Sequence, residues 1–132
     1  MTEITPEALD RGRDMMKAVY GWDIGEVSGD FVNLTVGHLF GEIWSRDTTL
    51  TIRERRLLII GLAVGSGMTD VAKLQLECAT TLGELTDEEL REIVLYFAHY
   101  AGWPRGAQLN GIVEGIIAKR QRSQPASETR SD

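Results

Sequence analysis

A chain of 132 residues that is 42% hydrophobic and 26% charged has the balance of a soluble globule, and its length suits one domain. A formal charge of −6 and an isoelectric point near 4.9 argue against a non-specific nucleic-acid binder, which needs a basic face. One cysteine excludes an internal disulfide, a CxxC redox pair within the chain and a cysteine-rich zinc site.

The pattern predicts an all-α fold of about six helices. Prolines occur only at 6, 104 and 125, and no hairpin turn is flanked by alternating apolar residues. The opening MTEITPEALD is acidic and polar, unlike a secretory or transit peptide. Thr5 caps a first helix over 6–20, with Pro6 at its first position and Gly21 as its stop. A loop carrying Trp22, Asp23, Gly25, Ser28 and Gly29 follows. A second helix, over 30–44, has Leu34, Val36, Leu39 and Ile43 as its apolar side. Thr51 and Glu54 form a capping-box pattern ahead of a third helix over 52–66. In that helix the apolar run over 57–64 covers every side, which predicts burial all round. The run is far short of the roughly 20 residues a membrane span needs. Gly61 and Gly65, four apart, would let another backbone come close.

A fourth helix covers 70–82 and ends at Gly83. Thr86 and Glu89 repeat the capping box, and the helix they open continues to about residue 100. Gly102 and Pro104 break the chain before a sixth helix over 105–120, where Leu109, Ile112, Val113, Ile116 and Ile117 keep helical spacing. The body is thus one helical domain over 1–120. The residues 121–132, rich in Ser, Gln, Pro, Glu and Thr, read as a disordered tail.

Two stretches go beyond generic helix. Gly41-Glu42-Ile43-Trp44-Ser45-Arg46 is followed by Leu50, Arg55, Leu57 and Ala63. Thr86-Asp87-Glu88-Glu89-Leu90-Arg91-Glu92 is followed by Tyr100-Ala101-Gly102-Trp103-Pro104. In order and spacing they resemble the carboxymuconolactone decarboxylase family, and residues 13–21 resemble that family's opening helix. The resemblance implies the all-α fold shared with the alkyl hydroperoxide reductase D group. It also implies a homo-oligomer, a trimer or hexamer, that acts on a small acidic substrate without metal or organic cofactor, while the acidic charge, the polar opening and the short apolar run point to a cytoplasmic protein with no nucleic-acid or membrane partner. The peroxidase branch of the fold uses a CxxC pair, and here Cys78 stands alone between Gln75 and Thr81. The decarboxylase branch carries a histidine on the fourth helix. An ungapped alignment puts Leu76 there, and a shift by one puts Gln75 or Glu77.

Decarboxylation of a carboxylated lactone needs fixed positive charge where electrons gather, and an acid to protonate the carbon afterwards. Glu42, His38 and His99 are the catalytic candidates. His38 precedes Glu42 by four residues, so the two can share a proton; either histidine can stand in for the one missing from the fourth helix, or be an ordinary core residue. Arg46 is suited to hold a substrate carboxylate, or to be a surface or carbonyl-capping arginine. Arg55 can bind substrate or pair with Glu42 or Glu54. Trp44, Tyr100 and Trp103 are the remaining substrate-binding candidates, with core or subunit contacts as the alternative. Two histidines and Glu42 supply no metal motif. Cys78 reads as a small buried apolar residue. Three functions follow: a cofactor-free lyase or isomerase, a binding or structural oligomer that keeps the fold, and thiol-dependent peroxide handling through Cys78. A pocket between subunits is expected, because one such chain offers few deep clefts.

Overall fold

The structure, a computed structural model, describes residues 3–26 and 28–124. The tail expected to be disordered lies, from residue 125 onward, outside the described residues. The chain forms two compact units, Met1–Glu84 and Leu85–Asp132. The protein is all-α, with no strand among the described residues.

In the first unit α1 spans Pro6–Tyr20. The Thr5 hydroxyl accepts the Ala8 N–H at 3.1 Å, and Gly21, at φ 89°, ends the helix in the left-handed conformation that glycine adopts without strain. The second helix opens as α2 (Asp30–Leu34) and continues as a π-helix over Thr35–Trp44. A π-helix of this length is rare, and such winding tends to mark functional segments. Glycines seat it directly on α1. A Cβ at Gly12 would lie 1.8 Å from the Val36 carbonyl oxygen, and one at Gly41 would lie 2.3 Å from that of Ala8. Side chains cap its final carbonyls: Arg11 Nε donates to Gly41 O at 3.1 Å and Ser45 Oγ to Phe40 O at 2.8 Å.

This packing decides which side of the second helix is buried. Val36, Gly37, Phe40, Gly41 and Trp44 face α1, while Leu34 and Leu39, expected to point inward, are exposed. Val19, Phe40 and Trp44 form the core here, backed by Met15, Met16, Tyr20, Ile52 and Ile59. Each such fully buried side chain contributes about 1.5–3 kcal/mol.

The third helix, α3, spans Ile52–Gly65 behind a complete Thr51–Glu54 capping box. It packs on α4, Thr69–Thr81, through one side only. Arg56, Ile60, Ala63 and Val64 are buried, whereas Leu58 and Leu62 are each 63% exposed, so the expectation of burial all round is corrected. The composition of the run cannot reveal that a helix in a small unit has a neighbour on only one face. Nothing lies within 4 Å of a Cβ built on Gly65, whereas close backbone approaches occur at Gly12 and Gly41.

The second unit is a helical hairpin of α5 (Asp87–Ala101) and α6 (Trp103–Ser123). The Thr86–Glu89 capping box starts α5. Gly102, at φ 99°, links the two helices, and α6 begins at Trp103 rather than at 105, with Pro104 in its first turn. Gly106 lets the helices close, because a Cβ there would stand 2.6 Å from that of Ala98. Leu90, Val94, Ala98, Leu109, Val113, Ile116 and Ile117 fill the seam at helical spacing. Arg91 grips Glu114 with two hydrogen bonds of 2.9 and 3.2 Å, which hold the Glu114 carboxyl below its ordinary pKa. Arg120 pairs with Asp87.

Candidate functional site

Two of the candidate residues lie on the exposed side of the second helix. His38 and Glu42 lie one turn apart, opposite the buried stripe, and His38 Nδ1 sits 2.7 Å from Glu42 Oε2. With a carboxylate as acceptor, Nδ1 is the donor in this pair. Both side chains are about half open to solvent, 54% and 44%. The pair expected from the four-residue spacing is therefore formed. Arg46 lies two residues past the end of the same helix with its side chain exposed.

Three other candidates take different positions. Trp44 is a core residue, stacked on Phe40 with ring centroids 5.6 Å apart, and is only 5% exposed. Arg55 pairs with neither Glu42 nor Glu54. Its Nε donates to Leu50 O at 3.2 Å and its Nη2 to Arg46 O at 2.9 Å, so it ties down the turn between the second helix and α3. Glu54 is used instead in the capping box, where the Thr51 backbone and hydroxyl lower its pKa. Arg55 thus stabilises the backbone that carries Arg46.

His99, Tyr100 and Trp103 belong to the second unit. His99 Nδ1 donates to Leu95 O at 2.6 Å. Its ring meets Trp103 edge-on at 6.0 Å, and Tyr100 leans on Tyr96 at 5.0 Å.

A polar cluster around Arg56 was not singled out by the motifs. Its guanidinium is fully buried. It donates to Glu84 twice, at 3.0 and 2.7 Å, to Gln75 Oε1 at 2.9 Å and to Val19 O at 2.5 Å. Gln75 also acts on the Tyr20 hydroxyl, where it favours the ionised form. Burial, with Cys78 adding to it, holds the Tyr20 hydroxyl above its ordinary pKa against Arg56 and Gln75. Burial likewise pushes the Cys78 thiol up, and Arg56 only partly opposes this. One signal does reveal Arg56 in the sequence: it precedes Ile60, Ala63 and Val64 by four, seven and eight residues, the spacing of one helix face. Through the Arg56 bonds the cluster ties α1, α3, α4 and the chain after α4 together. On α4, Leu76 is fully buried and Gln75, its polar neighbour, is committed to Arg56.

Among the described residues no three His, Cys, Asp or Glu side chains converge as a metal site, and no helix is long and apolar enough to cross a membrane. No family model matches the chain, and no solved structure matches it. The chain is similar to the 4-carboxymuconolactone decarboxylase of Acinetobacter baylyi, with 30% identity over 82 residues. That alignment covers 62% of this chain and spans about 60% of the relative's length.

Proposed function

We propose that this protein is a carboxymuconolactone decarboxylase-like lyase or isomerase that acts, without a cofactor, on a small carboxylated lactone or cyclic acid. The observation that carries this reading is the 2.7 Å contact between His38 and Glu42, on a chain with a decarboxylase as its relative. As carbon dioxide leaves such a substrate, the electron pair stays on the ring and a carbon must then be protonated. A protonated His38 delivers that proton from Nε2, while Glu42 orients the ring and stabilises the imidazolium. Arg46, exposed in the turn that follows the same helix, binds the second carboxylate in bidentate fashion. The side-chain pattern also supports a second reading, a binding oligomer that keeps the fold: Trp44 and Leu76 are core residues and the His38–Glu42 pair is open to water. Peroxide handling has less support, because Cys78 is buried and that burial raises its thiol pKa, which disfavours the thiolate.

The test is carbon dioxide release from a carboxymuconolactone, with His38→Gln and Arg46→Met alongside. His38→Gln is expected to lower kcat by about 10²-fold or more, the usual worth of a positioned acid. Arg46→Met is expected to raise KM. A wild-type protein that leaves the lactone intact, or a His38→Gln variant with unchanged kcat, refutes the lyase reading. A crystal soaked with a dicarboxylate analogue checks it independently, since density is expected beside Arg46.

A further inference from the structure

Three large apolar side chains flank the His38–Glu42 pair and are left open to water. Phe31 is 83% exposed, and Leu34 and Leu39 are each 43% exposed. Their places follow from the helix. Leu34, His38 and Glu42 recur every four residues and form one line along it, and Phe31, Thr35 and Leu39 form the line beside it. Val36, Phe40 and Trp44, on the opposite side, are buried. Residues three or four apart on a helix stand about 5–6 Å from one another at Cβ, so Leu34 is one such step from His38 and Phe31 one step farther. A surface helix ordinarily turns polar residues outward, and this one turns leucine and phenylalanine.

Charge on the same segment is equally one-sided. No Lys or Arg occurs between Lys17 and Arg46, and Glu42 adds a negative charge beside His38. Arg11 of α1, which reaches this helix, donates to the carbonyl of buried Gly41. The cation of this segment is therefore Arg46, in the turn after the helix, and the apolar side chains gather toward the helix start.

We propose that the substrate carries an apolar group, an alkyl chain or a hydrocarbon ring, and that Phe31, Leu34 and Leu39 receive it while a carboxylate is held at Arg46. The inference rests on the lyase reading above and narrows its substrate class. Two carboxylates are accommodated, the one that departs beside His38 and the one at Arg46. A third would lie against leucine and phenylalanine with no cation to meet it, and an anion there loses hydration without compensation. An apolar group loses nothing and gains by burial. It also covers one flank of the half-open His38, and excluding water there strengthens the interaction of His38 with Glu42 and with the substrate's charge.

Calorimetric titration of the full chain with two probes, a butyrolactone carboxylate and the same lactone carrying a pentyl chain, tests the proposal. A fully buried methylene strengthens binding about fourfold, and a chain lying on one face buries about half its surface, so the pentyl lactone is expected to bind at least about tenfold tighter. Phe31→Ser and Leu34→Ser are each expected to cut that ratio at least about threefold. Both side chains are exposed, so circular dichroism should stay close to wild type. Arg46→Met is expected to weaken both probes alike. Equal affinity for the two probes overturns the inference and leaves the lyase reading in place. A preference that survives both serine variants overturns it as well. So does a lost preference accompanied by dissociation of an assembly in sedimentation velocity, since protein rather than substrate then covers this face. If neither probe binds, the lyase reading fails and the inference falls with it.

Discussion

Replacing Arg56 with methionine should be among the most damaging single changes in the first unit. The guanidinium is wholly buried and makes four hydrogen bonds, two of them to Glu84. Methionine keeps much of the volume and removes every donor. The Glu84 side chain, only 16% exposed, then has no cation, and Gln75 Oε1 and Val19 O lose their partner. Removing one member of a buried ion pair costs about 3–5 kcal/mol, chiefly through the charge left behind. Total stability is about 5–15 kcal/mol, so the loss is a large fraction of it. Near 4 °C per kcal/mol, the midpoint should fall by roughly 10–20 °C. Urea unfolding and calorimetry measure both quantities. Adding Glu84→Gln to Arg56→Met should recover part of the loss, because the double variant buries no unpaired charge. Arg46→Met, an exposed arginine, should stay within about 0.5 kcal/mol of wild type. A loss below about 1 kcal/mol in Arg56→Met, or no recovery in the double variant, would refute the argument that a buried charge pair organises this unit.

Two further predictions concern glycine and pH. Gly12→Ala should destabilise by about 1–3 kcal/mol or more, since its Cβ would strike the Val36 carbonyl and separate α1 from the π-helix. Gly115→Ala, inside α6 with nothing within 4 Å of the new Cβ, should instead stabilise by about 0.5–1 kcal/mol; chemical denaturation of the two variants checks the opposite signs. Cys78 and Tyr20 both have folded pKa values raised by burial above their ordinary 9.0 and 10.0. The unfolded chain therefore loses these protons first as pH rises. Stability should hold below about pH 9 and fall above it, and Cys78 should react with iodoacetamide far more slowly in the native protein than in urea. Stability that stays flat between pH 8 and 10.5, or a thiol equally reactive in both states, would contradict this assignment.

Helix boundaries were legible because their causes are local. Thr5, Thr51 and Thr86 each offer an oxygen to an N–H three residues away, and Gly21 stops a helix by its own conformational freedom. The His38–Glu42 contact was legible for the same reason, since four residues along a helix is one turn. Trp44 and Arg55 were less so. Both are substrate-binding candidates by sequence, each with a structural alternative: Trp44 takes its core alternative, stacked on Phe40, and Arg55 takes neither substrate-ready exposure nor an ion pair with Glu42 or Glu54 but turns to two carbonyls of the preceding turn.

What the sequence by itself determined is the all-α class, the caps and ends of the helices, and the side-chain pair brought together by one helical turn. Tertiary structure alone decided the rest. Which side of the second helix is buried, and hence the exposure of Leu34 and Leu39, depends on the close contact that Gly12 and Gly41 allow with α1. The role of Arg56 depends on Val19, Gln75 and Glu84, which lie 37, 19 and 28 residues away along the chain. Capping and turn-to-turn contacts are set by bonds a few residues long. Burial and charge compensation are set by whichever distant surfaces meet, and no local pattern encodes that meeting.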